Sequence, residues 1–481
     1  MAVVHRPEKC VFEATLACNM SCRHCGSGAG RPRRDELGTG EVRSLFGQLA
    51  ALGCRKLVIS GGEPLLRPDW AGLVEAGARA GIRTGLFTNG ILFDAQAARA
   101  ARDAGAAAMG FSVDGIGDTH DRVRSRPGHF REIAAAMEAA ATAGLPFSVV
   151  THVNRVNIDE LERIEGLLRD RGAFAWQLQP AIEMGNLRHN RDLAIRPGDM
   201  LRICSEAAAL AVESELRVAV ADTVGYYGPE EAILRSGCGI PGFRGCGAGV
   251  RVIGIESNGD VKGCLSIQPG HAGTDWVEGN VRNEPLAAIW NRPGAFAYNR
   301  QWTPERLGGF CRACEHAAAC RGGCRSMMAA AGNGEENPFC AHRVISEQRD
   351  RSPGLAPVRA AAVLAAAAGL GLAACGENDP PDLLGQPDSE PDAGADAGTD
   401  VDADADADAD GDADADTDAD TDTFPDTETG DIVVYEFCMD TTGKTTIPVE
   451  TRCGGPHCFR LKLKRLRHLA GDSWDRPPKI G

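Results

Sequence analysis

The sequence predicts an α/β fold built from parallel strands that alternate with helices, and three observations lead to it. Strand-like runs recur from residue 10 to residue 179. Ala-, Leu- and Arg-rich segments of helical period separate them. Polar or Gly-rich motifs follow the runs, at the strand ends where parallel α/β folds carry their chemistry. Alternation of this kind needs right-handed crossovers, so the choice is between an α/β barrel and an open doubly wound sheet.

In chain order, the strands are expected at residues 10–15, 55–60, 82–87, 108–113, 147–152 and 174–179. The β-branched and aromatic character of runs such as RKLVIS and FSVVTH supports each one. Helices are expected at 40–52, 69–80, 94–104, 129–143 and 157–170.

The first strand leads into Cys18, Cys22 and Cys25, spaced C-x3-C-x2-C. Three thiolates this close can converge on one metal centre, and a cubane [4Fe–4S] cluster normally takes four. One iron would then be left open for chemistry. A zinc site completed by His24, or scattered buried thiols, fits the same spacing. After the second strand comes Ser60-Gly61-Gly62-Glu63-Pro64, a loop whose glycines permit close backbone approach to a ligand. The third strand ends at Thr88-Asn89-Gly90 and the fourth at Ser112-Val113-Asp114-Gly115, short polar groups that also suit turns. In His120-Asp121-Arg122-Val123-Arg124, Arg124 can hold an anion or the segment can form a solvated face. Gln179 closes the sixth run.

The net charge of −16 is misleading as a global figure. Residues 376–431 hold 19 Asp and 3 Glu with no Lys or Arg, which leaves 45 acidic residues against 51 basic ones elsewhere. That balance is too weak to argue for nucleic acid, so none is expected as a partner. Eighteen cysteines in 481 residues do not fit a small disulfide-stapled secreted domain. Most cluster at metal-ligand spacings, which points to a reducing compartment. The polar opening Met1–Lys9 is not a signal peptide, and the enzyme part is expected in the cytoplasm.

C-x3-C-x2-C, GGEP, TNG and SVDG, each after a successive strand, closely resemble the motifs of radical S-adenosylmethionine (SAM) enzymes over residues 10 to about 220. The resemblance implies a partial (β/α)6 TIM-like barrel. It implies that Cys18, Cys22 and Cys25 hold a [4Fe–4S] cluster whose open iron binds SAM, and that reductive SAM cleavage yields a hydrogen-abstracting 5′-deoxyadenosyl radical. Gly61, Gly62, Glu63 and Pro64 match the motif that meets the SAM amino group, with Asn89, Ser112, Asp114, Arg124 and Gln179 as further contacts. His24 falls where the family usually places an aromatic ring. A low-potential donor such as flavodoxin or ferredoxin would supply the electron.

A second block contains Cys238, Cys246 and Cys264, then Cys311, Cys314, Cys320 and Cys324 at C-x2-C-x5-C-x3-C, then Cys340. Asn258-Gly259 reads as a hairpin turn between two short strands. Eight thiolates suffice for two cubanes, and two structural zinc sites are the physical alternative. The spacing resembles the SPASM extension of radical SAM enzymes that modify peptides and proteins. By that resemblance two auxiliary [4Fe–4S] clusters interleave, Cys238, Cys246, Cys264 and Cys324 on the nearer and Cys311, Cys314, Cys320 and Cys340 on the farther. Sulfatase-maturating members carry an Asp where this chain has Leu265, so formylglycine formation is not expected. A peptide or protein substrate ranks first, and a cofactor or haem precursor is the alternative. No leader-binding domain is seen before Cys10, so leader recognition would fall to a separate protein or another surface. Cys10, Cys54 and Cys204 are expected in the core.

The composition changes after Cys340. Ala360–Ala374 is an apolar run too short to span a bilayer comfortably, and Leu372-Ala373-Ala374-Cys375 resembles a bacterial lipobox. A largely disordered Asp-rich tether follows. Within it Asp406, Asp408, Asp410 and Gly411 imitate the start of a calcium loop, but Thr417 stands where the loop needs Glu. A Cys-containing region with Cys438, Cys453 and Cys458 closes the chain, either a small disulfide-bearing domain or a substrate in cis. The expected organisation is therefore 1–225 barrel, 226–345 auxiliary-cluster domain, 346–375 lipobox-like segment, 376–431 acidic linker and 432–481 C-terminal region. Residues after Cys375 would be exported and membrane-anchored, as a surface lipoprotein fused to the enzyme or joined to it from an adjacent reading frame.

Overall fold

The computed structural model describes residues 4–236, 242–267, 276–330 and 335–351, together with the backbone of three strands beyond residue 432. The expectations for Cys238, Cys375, Cys453, the apolar run and the Asp repeat fall outside the described residues. The chain divides into two units, Met1–Asp388 and Ser389–Gly481.

In the first unit the strands β1 (Lys9–Glu13), β2 (Lys56–Ser60), β3 (Arg83–Thr88), β4 (Ala108–Ser112), β5 (Phe147–Val153), β6 (Ala175–Pro180) and β7 (Arg217–Val220) lie side by side in sequence order. All neighbours among them pair in parallel. The crossovers are α1 (Thr39–Ala51), α2 (Trp70–Arg79), α3 (Ala95–Asp103), α4 (Asp118–Arg124), α5 (His129–Thr142), α6 (Leu161–Asp170) and α7 (Asp199–Glu213). The sheet runs from one edge to the other without closing, so this is the expected partial α/β barrel.

Burial on both faces explains the near-continuous apolar runs of the central strands. Phe12 packs edge-on against Phe46 of α1 at 5.4 Å between ring centroids, and Phe111 links Phe93 and Phe147 in the same way. Asp94 caps α3 by accepting from the amides of Gln96 and Ala97. The buried indole of Trp176 donates to Thr151 Oγ1 at 2.8 Å, and Thr151 in turn donates to the Val113 carbonyl. Cys10, Cys54 and Cys204 are buried, as expected.

The sequence predicts neither α7 nor β7. The four residues of β7, RVAV, are too few for an alternation signal. It also does not predict where the later hairpin goes. The hairpin strands β8 (Val252–Ile255) and β9 (Asp260–Lys262) turn at Asn258-Gly259, and β8 pairs in parallel with β1. With β10 (Gly279–Asn280) they extend the barrel sheet beyond its first strand.

A buried polar seam fastens this extension. Lys262 Nζ lies 2.6 Å from Glu256 Oε1 with both groups buried, and Arg33 reaches Glu13 at 2.9 Å and Glu256 at 3.4 Å. Ser257 Oγ donates to Glu13 Oε1 at 2.8 Å. The residues between Cys25 and α1 are therefore held between β1 and the hairpin.

Short helices Gly309–Ala313, Ala317–Cys320 and Arg325–Ala330 follow, and a longer one, Ala341–Arg351, ends the described part of this unit. No helix among the described residues is long and apolar enough to cross a membrane. The second unit contains a three-stranded antiparallel sheet of β11 (Val433–Met439), β12 (Thr445–Thr446) and β13 (Cys458–Leu463), whose register sets Cys438 opposite Cys458.

Candidate iron–sulfur and SAM site

The three cysteines of the first motif lie on the loop after β1, and hydrogen bonds fix that loop on several sides. The Cys18 amide donates to Gly30 O, and Gly30 N donates to Leu16 O, which closes the loop on itself. Gly62 N donates to Thr15 O at 2.8 Å and Glu63 N to Ala17 O at 2.7 Å. A Cβ on Gly61 would lie 2.3 Å from Thr15 O, and one on Gly62 would lie 2.1 Å from Ala17 O. The two glycines are thus needed for close approach to the cysteine loop itself. The sequence reading placed that approach at a ligand.

From the far side, Asn186 N donates to Cys25 O at 2.9 Å and Asn186 Nδ2 to Cys22 O at 3.0 Å. Asn190 Nδ2 donates to Arg23 O at 3.1 Å. Sequence reasoning missed both asparagines, because they sit in and just after a short 3₁₀ helix, Gly185–His189, with no motif around them.

Glu63 is fully buried. Its carboxylate accepts from Thr88 Oγ1 at 2.8 Å, Asn89 N at 2.8 Å and Leu65 N at 3.1 Å. Burial pushes its pKa up against these three donors. This side chain ties the end of β2 to the end of β3, and what the loop can offer a ligand is its backbone. Pro64 is buried in the first turn of a short 3₁₀ helix. Asn89 Nδ2 donates to Asn19 Oδ1 at 2.8 Å, inside the cysteine loop.

Asp114 is equally enclosed. Its Oδ2 accepts from Arg124 Nε at 2.7 Å and lies 3.3 Å from His24 Nε2, while Oδ1 accepts from His152 N at 2.8 Å. Burial opposes its charge, yet the Arg124 guanidinium holds the carboxyl well below the usual carboxylate range. Arg124 and His120 are both buried, so the solvated-face reading of residues 120–124 does not hold for them. His24 packs against His152 with ring centroids 4.5 Å apart and the planes tilted by 33°.

A second histidine pair has determined tautomers. Asp114 N donates to His120 Nδ1 at 3.0 Å, so His120 Nε2 carries the proton and donates to His129 Nδ1 at 2.7 Å. His129 Nε2 then donates to Asn89 O at 2.9 Å. Burial lowers the pKa of His120 to about 3 and of His129 to about 4, so both rings are neutral. The chain of bonds joins the SVDG and TNG loops.

Burial raises the thiol pKa of Cys18, and it raises that of Cys22 to about 11 although the Arg124 charge pulls the other way. A metal must therefore displace these protons, and Arg124 favours the resulting thiolates. Ser112 is half-buried at the end of β4, and Gln179 Nε2 donates to Gln177 Oε1 at 3.0 Å beside His152 in register.

The later cysteines separate into two sets. Cys311, Cys314, Cys320 and Cys340 line one pocket, together with Tyr226, His316 and His342. Cys311 Sγ accepts from Asn337 N and Cys314 Sγ from His316 N, both at 3.4 Å. In the other set, Cys324 hydrogen-bonds Cys246 and so lowers its pKa, with Cys264 beside both. Tyr226 stands between the sets: its hydroxyl accepts from Cys324 N at 3.2 Å and its carbonyl from Cys340 Sγ at 3.5 Å.

Comparison with known proteins matches residues 12–168 to the radical SAM superfamily and residues 246–315 to SPASM, an iron–sulfur cluster-binding domain. The AdoMet-dependent heme synthase of Methanosarcina barkeri is 30% identical over 360 residues, 71% of this chain and 99% of that protein. The PqqA peptide cyclase of Rhizobium meliloti is 28% identical over 353 residues, 72% of this chain and 89% of that one. Streptococcus suis SuiB bound to S-adenosylmethionine shares the fold with a TM-score of 0.57 at 16% identity, over 70% of this chain and 77% of that one.

Proposed function

The chain belongs to the radical SAM superfamily and carries the SPASM extension, and on that premise we propose that it abstracts hydrogen from a peptide or protein substrate. Its cofactors are a SAM-binding [4Fe–4S] cluster, SAM and auxiliary iron–sulfur clusters. When bound, the first cluster and SAM together supply a 5′-deoxyadenosyl radical for an unactivated C–H bond.

In this reading Cys18, Cys22 and Cys25 are the ligands of the first cluster. The observation that carries it is the convergence of these thiols beside one buried guanidinium, on a loop pinned by Gly62, Glu63 and Asn186. Arg124 balances the negative charge of the thiolates, and Asp114 holds Arg124 in place. Gly61, Gly62, Glu63 and Pro64 offer backbone groups to SAM, with Asn89, Ser112 and Gln179 lining the mouth. The buried walls exclude water from the radical. Cys246, Cys264 and Cys324 hold the nearer auxiliary cluster, to which we also assign Cys238, and Cys311, Cys314, Cys320 and Cys340 hold the farther one.

The organisation expected from the sequence, 1–225 barrel and 226–345 auxiliary-cluster domain, is retained in this proposal, with the acidic linker and C-terminal region beyond. A flavodoxin- or ferredoxin-type donor feeds the electron, and a separate protein or another surface of this chain recognises any leader. The enzyme part works in the cytoplasm, and the segment after Cys375 is an exported lipoprotein-like appendage. An intact native mass ending near residue 345 would remove that appendage from the proposal.

For the substrate, peptide cyclases and maturases among the relatives favour a peptide. A haem precursor is the second reading, favoured by the match to the M. barkeri heme synthase over 99% of its length. The anaerobically reconstituted protein should cleave SAM to 5′-deoxyadenosine, and a Cys18/Cys22/Cys25→Ala variant should not. Undiminished cleavage by that variant ends the proposal. Isotope-labelled peptides and tetrapyrroles, offered in parallel, decide the substrate class by deuterium transfer to 5′-deoxyadenosine.

A further inference from the structure

We propose that Arg325 and Tyr298 form the hydrogen-bonding, charge-balancing wall of the nearer auxiliary centre and raise its reduction potential. This rests on assigning Cys246, Cys264 and Cys324 to that centre.

Arg325 follows Cys324 directly and is 7% exposed. Its Nε donates to Asn299 Oδ1 at 2.8 Å, and Asn299 Nδ2 donates to Ala248 O at 2.7 Å and Cys246 O at 3.2 Å. One asparagine thus fixes the guanidinium against the backbone of Cys246. Nη1 reaches Met328 Sδ at 3.4 Å, and Nη2 is buried without a hydrogen-bond partner. Among the described residues no carboxylate forms an ion pair with Arg325, which directly follows Cys324 and is tied through Asn299 to the backbone of Cys246. An uncompensated buried guanidinium is strongly unfavourable. Three or four thiolates around an iron–sulfur core leave a net negative centre, which supplies the missing counter-charge.

Tyr298 supplies a second orphan donor. Its ring packs edge-on against Trp276 at 5.0 Å, and its buried hydroxyl finds no acceptor for its proton among the described residues. The hydroxyl lies so close to Gly263, the residue before Cys264, that a Cβ there would sit 2.1 Å from it. Two free donors and one free positive charge therefore gather at the same three cysteines. Donors to sulfur and a nearby cation favour the reduced state, because reduction adds one negative charge to the centre. The step is a one-electron reduction with no bond made or broken; dithionite is the reductant in the test.

The test is an EPR-monitored redox titration of the iron-loaded full chain as wild type, R325M, R325K and Y298F. The midpoint of one auxiliary centre should fall in R325M, fall less in R325K and fall in Y298F, while the SAM cluster and the other auxiliary centre keep theirs. Loss of iron from that one centre in R325M, with R325K retaining it, also supports the counter-charge role. If R325M does not fold, R325K and Y298F are read alone. Unchanged midpoints in both overturn the proposal. Repeating R325K in a Cys320→Ala background separates the two claims. Persistence of the shifted signal supports the assignment, whereas its disappearance shows that the shift belongs to the farther set and removes the premise.

Discussion

Arg124 Nε donates to Asp114 Oδ2 at 2.7 Å, and both side chains are buried. The pair sets a compensated positive charge beside three thiols, and Asp114 also binds the backbone of β5 through His152 N. Removing one partner of such a pair leaves an unpaired buried charge.

Asp114→Ala should therefore destabilise the protein by about 3–5 kcal/mol. Asp114→Asn keeps the shape and the acceptor for His152 N, and should cost less. Urea denaturation of the metal-free protein measures both, and equal midpoints for wild type and Asp114→Ala would refute the argument.

Gly62→Ala should damage the first cluster without touching the others. Its Cβ would lie 2.1 Å from Ala17 O, so the loop carrying Cys18 must move. Iron should fall by about four per chain, the content of one cubane. Iron analysis alongside 5′-deoxyadenosine assay checks this, and normal values of both would contradict it.

The division of the later cysteines predicts a pattern of iron loss. Cys311→Ala and Cys320→Ala share one pocket, so the double variant should lose no more iron than either single one, about four. Cys320→Ala combined with Cys324→Ala should lose about twice as much. Additive loss within the first pair would mean that the two cysteines serve different centres.

Stability should decline on acidification because His120 and His129 are buried and neutral, with pKa values lowered to about 3 and about 4. The unfolded chain takes up protons on both near pH 6.5, while the folded chain does not. Their contribution is complete above pH 6.5 and is lost as pH falls towards the folded values. At pH 5 the two together should cost at most about 4 kcal/mol relative to pH 7.5. A His120→Gln/His129→Gln variant, followed by urea denaturation without metal, should be less stable at pH 7.5 and show a flatter pH slope. A slope as steep as wild type would show that other groups carry the effect.

Much of the barrel was legible in the chain, because parallel strands buried on both faces need continuous apolar runs. RKLVIS and FSVVTH sit within a residue or so of β2 and β5. β7 was not, since four residues at a sheet edge leave no period to read. At the site, the cysteine spacing and the order of GGEP, TNG and SVDG pointed to loops that the structure brings together, while the hydrogen bonds of individual side chains were not legible. The carboxylates of Glu63 and Asp114 also hold strand ends together, which no local pattern announces.

By itself the sequence determined the class of fold, the motifs at its strand ends and the thiol spacings, because each is carried by residues close together in the chain. Tertiary structure alone decided that β8 lies against β1, that Asn186 pins the cysteine loop, and that Tyr226 stands between two cysteine sets. It also decided that Arg325, next to Cys324, is fixed through Asn299 to the backbone of Cys246, with no carboxylate in an ion pair with it among the described residues. Each of those facts joins residues far apart in the chain, and which buried donor meets which acceptor is settled only when packing has removed water as the competing partner.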